Sequence, residues 1–135
     1  MRLPVALALV AVGGSAGTAA RVVVSTLFPG QPLASTLAVN AAGAFALGLL
    51  VEVLDARRDT GRRHGARLVL GAGFCGGFTT YSLIAYQVAD LTRGGDLHTA
   101  VTYGLATLVL GGVAAAGGML LGITVRGSGH GRSRT

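Results

Sequence analysis

A small set of polar side chains interrupts the apolar runs of this 135-residue chain. Arg21 closes the first run. Thr36 and Asn40 stand four apart in the second, which puts them on one helical face. Thr79, Thr80, Tyr81 and Ser82 follow a glycine pair in the third, and Tyr103 and Thr107 form another four-apart pair in the fourth. Amides, hydroxyls and a guanidinium are donors, and no carboxylate lies in the middle of any run. Polar groups in such a setting are costly unless paired or wetted, so they mark function. Donors without acids suit an anion. A proton-coupled exporter would want an embedded acid, and a cation-selective ring would want carboxylates.

Other chemistries find little support. His64, His98 and His130 fall in a loop, at a run's edge and in the tail, with no nucleophile beside them. No enzyme is expected. "GGSAGTAAR" lacks the spacing and preceding strand of a phosphate loop. Cys75 is the one cysteine, so no intrachain disulfide forms, and it reads as a small buried side chain. The opening "LPVALALVAVGG" has no small-residue cleavage site before a soluble domain, so it reads as a span rather than a leader.

The elements that must carry these residues are transmembrane helices. Charged residues are 12 % of the chain, against about 25 % in soluble domains, and the mean hydropathy is +0.64. Charge-free gaps long enough to cross a bilayer predict four spans, at about 3–26, 33–54, 68–89 and 97–125. Residues 1–127 then form one four-helix transmembrane domain, and 128–135 a flexible basic tail. Helices satisfy their own backbone in lipid. G-x-x-x-G pairs at Gly13 and Gly17, Gly73 and Gly77, and Gly118 and Gly122 offer close-packing faces. "CGG" and "TT" form a helix-breaking, hydroxyl-rich patch within the third span.

The net charge of +6 comes entirely from arginine on the basic side. Arg2, Arg57, Arg58, Arg62, Arg63, Arg67, Arg126, Arg132 and Arg134 fall on one side of a four-span topology, with Arg93 and Arg21 toward the other. That bias predicts cytoplasmic termini in the plasma membrane, and basic flanks of this kind set topology rather than bind nucleic acid. Four short glycine-rich helices leave little interior for a path, so a dimer or larger assembly is expected.

Three ordered motifs carry a family resemblance. "GGSAGTAAR" (13–21), "STLAVNAAGAFALG" (35–48) and "GFCGGFTTYS" (73–82) resemble the span-one, span-two and span-three signatures of the small bacterial fluoride channels, also called CrcB or Fluc proteins. The resemblance implies an all-α membrane protein of four transmembrane helices, the third broken in mid-membrane at "CGG" and "TT", whose subunits dimerise antiparallel around two pores. It implies passive, selective export of fluoride from the cytoplasm, with a structural sodium at the dimer centre held by the carbonyls of Gly76 and Thr79. Asn40 would face the anion and Arg21 would attract it at the wide entrance. Thr36, Ser82, Tyr103 and Thr107 would line the path, with the track shortened at Gly111.

Three positions depart from the family pattern, Tyr81, Leu83 (where the family has Thr) and Ile84. Where it reads T-T-F-S-T-F, this chain reads "TTYSLI", with Tyr81 and Ile84 at the pore-lining phenylalanine positions. Tyr81 keeps a ring; Ile84 has no electropositive ring edge to offer. An antiparallel homodimer also needs balanced arginines, and these are not balanced. Both features point to one half of a heterodimer, paired with a paralogous subunit of opposite topology. The alternatives are a degenerate subunit serving as a membrane scaffold, and a small-molecule exporter.

Overall fold

The computed structural model describes residues 2–54 and 61–130, with side chains as far as Arg126. The chain folds as helices α1 (Leu3–Ser25), α2 (Pro32–Val53), α3 (Gly61–Ala66), the π-helical segment π1 (Arg67–Cys75), α4 (Gly76–Phe78), α5 (Tyr81–Arg93) and α6 (Leu97–His130). These make four apolar segments long enough to cross a membrane, at Leu3–Ser25, Pro32–Val53, Gly61–Arg93 and Leu97–Arg126. The protein is therefore an all-α, multi-pass membrane protein.

Local chemistry sets the helix starts and turns. Pro4 and Pro32 occupy first turns, where a missing N–H costs nothing. Between α1 and α2 the Gln31 N–H reaches the Phe28 carbonyl at 3.1 Å, and Gly30 takes the positive φ of 71° that this turn needs. Asp96 caps α6 through Oδ1, which accepts the Thr99 N–H at 3.1 Å. The hydroxyl and N–H of Thr99 hold the Asp96 carboxyl below its ordinary range.

The third span is longer than the expected 68–89, at 33 residues. Helix begins inside the arginine cluster at Gly61 and runs past the apolar stretch to Arg93. An unbroken helix of that length would measure about 50 Å, well beyond a hydrocarbon core of about 30 Å. It is not unbroken. Thr79 (φ −79°, ψ 160°) and Thr80 (φ −148°, ψ 118°) are extended and separate α4 from α5. Cys75 and Gly76, expected to share in the break, keep right-handed helical dihedrals. The interruption is confined to the threonines, whose β-branching and side-chain oxygens favour extended, capping conformations. Upstream, π1 inserts wide i→i+5 turns into the same span, a feature often found near functional sites.

The fourth helix also outlasts its apolar stretch. Helical backbone reaches His130, so the first residues of the expected tail, 128–130, are helical, while 131–135 lie outside the described residues.

Packing follows the glycine pairs. A Cβ on Gly13 would collide with the Val69 carbonyl, on Gly17 with the Phe74 carbonyl, and on Gly77 with the Gly14 backbone. The first two G-x-x-x-G faces thus pack α1 on π1 and α4. Gly118 meets the Phe45 carbonyl and Gly48 the Ala115 carbonyl, which sets α6 against α2 backbone to backbone. Few apolar side chains are buried within one subunit: Val39, Cys75, Ala100 and Tyr103 are the buried ones among the described residues. Leucines and valines on all spans face outward, as lipid contact requires, because tails solvate them as well as a core would.

Replacing Gly17 or Gly118 by Val should therefore force a helix pair apart at a cost of about 1–3 kcal/mol. Thermal unfolding in detergent should show a lowered midpoint for both, with Gly112→Ala, which meets open space, as the neutral control.

Candidate functional site

The break at Thr79 and Thr80 leaves backbone groups with no helical partner at membrane depth, where each must find another. Asn40 on α2 supplies two. Its Oδ1 accepts the Thr80 N–H at 2.8 Å, and its Nδ2 donates to the Thr80 carbonyl at 3.1 Å. One side chain thus clamps both polar groups of one residue. Thr80 caps α5 in turn, its Oγ1 accepting the Leu83 N–H at 3.2 Å and lying 3.3 Å from Ser82 Oγ.

The first half of the span is tied off from α1. Thr18 Oγ1 donates to the Gly77 carbonyl at 3.3 Å, and Arg21 Nη1 reaches the Thr79 carbonyl at 3.4 Å. Thr79 keeps a helical bond, its N–H and Oγ1 both donating to the Cys75 carbonyl at 3.0 and 2.8 Å.

Two open cavities meet at this break. A groove of about 810 Å³ between α2 and the third span is lined by Asn40, Gly76, Thr79, Thr80, Tyr81 and Ile84 at one end and by His64 and Arg67 at the other. A pocket of about 400 Å³ on the opposite side is lined by Arg21, Thr36, Thr80 and Ser82. Thr80 belongs to both. Tyr81 stands almost free, 82 % exposed, while Ile84 is half-buried.

The expected path residues divide. Arg21, Thr36, Asn40, Tyr81, Ser82 and Ile84 reach one cavity or the other. Tyr103 and Thr107 line neither, although Gly111, the next position along that face, lines the groove. Tyr103 is buried, its hydroxyl donating to Gln87 Oε1 at 2.6 Å, and Thr107 Oγ1 turns back to the Tyr103 carbonyl at 2.8 Å. Gln87 Nε2 donates to Thr36 Oγ1 at 3.1 Å and to the Pro32 carbonyl at 3.2 Å. The Thr36 hydroxyl donates to the same carbonyl at 2.9 Å. Gln87 is the hub of this network joining α2, α5 and α6, and sequence reasoning overlooked it. Its signal was available: an amide inside an apolar run, as Asn40 is.

The groups assigned to sodium are backbone carbonyls, so their free valences decide whether they suit a cation. The Thr80 N–H, helical donor to the Gly76 carbonyl, is turned to Asn40. The Leu83 N–H, helical donor to the Thr79 carbonyl, is turned to Thr80 Oγ1. Both carbonyls are thus released from the helix, both residues line the groove, and oxygen donors fit a hard cation. The Thr79 oxygen already meets one positive group, the Arg21 guanidinium.

The fold and site define the class: a four-span membrane protein whose broken third span carries polar donors between two cavities lined, among the described residues, by no Asp or Glu. Comparison with known proteins gives the family. Residues 8–119 match the family described as "CrcB-like protein, Camphor Resistance (CrcB)". The chain is 41 % identical over 120 residues to "Fluoride-specific ion channel FluC 2" of Leifsonia xyli subsp. xyli, covering 87 % of this chain and 83 % of the relative. It is 43 % identical over 116 residues to "Fluoride-specific ion channel FluC" of Chlorobium luteolum, covering 83 % and 87 %. The FluC of Paracoccus denitrificans is 41 % identical over 117 residues, covering 84 % and 90 %. The chain belongs to the CrcB/FluC fluoride-channel family.

Asn40→Ala should strand the Thr80 N–H and carbonyl together, at about 1–3 kcal/mol for each group left unpaired. Amide exchange in detergent should accelerate at Thr80 and through the first turn of α5, while α1 remains protected. Unchanged exchange at Thr80 would remove Asn40 from the clamp.

Proposed function

We propose that this chain is a pore-forming subunit of a fluoride channel that lets fluoride leave the cytoplasm passively. The reading rests chiefly on the break at Thr79 and Thr80, where donors without a nearby acid separate two cavities entering from opposite sides. Thr80 and Ser82 hydroxyls, the second N–H of the Asn40 amide and the Arg21 guanidinium are the groups that meet the ion. Fluoride is small and strongly hydrated, so it gives up water only where fixed donors replace it. The groups here are held by the clamp and the helix cap, and so need little reorganisation when the ion arrives. Membrane lipid covers the remaining apolar faces.

The subunit works as an antiparallel dimer with two pores. One chain offers a groove open along its side and two released carbonyls that border it, those of Gly76 and Thr79. A second subunit closes the groove and brings two more oxygens. Sodium held among these four would neutralise carbonyls that the break sets free in lipid and would lock the two subunits together.

The partner is a paralogous subunit of opposite topology. Tyr81 projects its ring almost wholly outward, where it meets a neighbour, and Ile84 leaves its own groove without an aromatic edge. The arginine-rich face, holding both termini and the loop between the second and third spans, lies toward the cytoplasm.

Fluoride efflux from liposomes tests the reading. The chain co-reconstituted with its paralogue should give fluoride-selective flux with chloride excluded, and Asn40→Asp should reduce it at least about tenfold by placing a carboxylate beside the ion. Robust flux from this chain alone, with its termini found on both faces, would overturn the paired-subunit reading. Absence of flux from a correctly assembled pair would overturn the channel itself.

A further inference from the structure

The larger groove does not end at the break. It runs along α2 and π1 to the arginine-rich end of the bundle, where Arg67 and His64 line its mouth. Arg67 lies 13 positions before Thr80, which corresponds to about 20 Å along the helix. Between mouth and break the walls are apolar, Leu47, Leu50 and Leu54 of α2 facing Leu68 and Ala72 of π1. The smaller pocket on the far side carries Arg21. The two cavities therefore lie in series, share Thr80, and hold one arginine each.

What is kept away from the mouth is as informative as what lines it. No Asp or Glu is among the described residues lining either cavity. Glu52 lies on the last turn of α2, two residues before Leu54 of the groove wall. It is drawn to the other side of the helix by Arg126, whose Nη1 donates to Glu52 Oε2 at 3.2 Å and to the Glu52 carbonyl at 3.1 Å. Its negative charge is compensated there, and among the described residues Arg67 is the arginine that lines the groove at its mouth. Low-dielectric walls concentrate that field along the groove, and a guanidinium keeps its charge at any working pH.

We propose that Arg67 is the anion-recruiting residue of the arginine-rich mouth, the counterpart of Arg21 at the other, with the Glu52–Arg126 pair keeping that mouth positive. The ligand is a small hydrated monovalent anion at the first stage of entry, before it sheds water at the break. This rests on the channel reading above and adds to it a second entrance and the residues that set its charge. A single unit charge about 6 Å from an entering anion in water raises the local anion concentration about threefold. Salt at about 0.5 M, with a screening length of roughly 4 Å, abolishes most of that gain.

The experiment is initial fluoride efflux from liposomes at subsaturating fluoride, in low salt and in about 0.5 M impermeant salt, with assembly checked by size-exclusion chromatography. The wild-type assembly comes first, because its silence would sink the channel reading and this proposal with it. With wild type conducting, Arg67→Gln should slow efflux about threefold in low salt and match wild type in high salt, and Arg67→Lys should restore the rate. Arg126→Gln leaves Arg67 in place but frees the Glu52 carboxylate, so it should also slow efflux in low salt only. It decides the matter if Arg67→Gln fails to assemble. Wild-type salt dependence in Arg67→Gln, or an equal loss at both salt concentrations, overturns the proposal. So does an Arg126→Gln assembly indistinguishable from wild type in low salt.

Discussion

A polypeptide that stops being helical inside a bilayer must find new partners for every peptide group it releases. That constraint organises this subunit. The two threonines in the middle of the third span open the helix, and the groups they expose are met one by one from other spans. Asn40 takes both polar groups of Thr80. Thr18 and Arg21 approach the Gly77 and Thr79 carbonyls from α1. The partners must come close, and the glycine faces allow it. With bulkier residues at Gly13, Gly17 and Gly77, α1 could not approach near enough for Thr18 and Arg21 to reach. Tight packing and the broken helix are one design, since each makes the other possible.

The same economy separates the polar residues into two groups. Gln87, Thr36 and Tyr103 form a network of donors and acceptors that ends on the Pro32 carbonyl. Such a network joins α2, α5 and α6 where apolar burial gives helices in lipid no reason to associate. It also fixes the direction of the Tyr103 hydroxyl, whose proton is directed to Gln87 and away from both cavities. The residues around the break are different. Thr80 and Ser82 border open space, and Asn40 uses one N–H on the backbone while keeping another. The residues that tie helices together and those that border open space therefore share the second and third spans, and Thr36 belongs to both groups.

Much of this was readable from residue order. The four spans followed from charge-free gaps, and their observed ends fall within a few residues except where the third helix extends into the arginine cluster. The paired glycines were legible because small residues every fourth position can only mean a close face. The break was legible too, though placed too broadly: glycine is permissive but not obligatory, so Gly76 stays helical while the threonines do not. Gln87 escaped because its neighbours read as an ordinary apolar helix. Arg67 escaped because it was one of many arginines on a flank, and nothing in sequence marks which of them stands over a groove.

Residue order alone determined the membrane-spanning class, the number of spans, the faces that pack and the family to which the chain belongs. Each of these depends on local composition or on spacing along one helix, and such properties survive without knowing what lies opposite. Only the tertiary structure decided which polar groups are consumed by one another and which stay open to a cavity. A hydrogen bond from Asn40 to Thr80 spans 40 residues, and that from Gln87 to Thr36 spans 51. A side chain's free valence is set by what its neighbours in space have already taken.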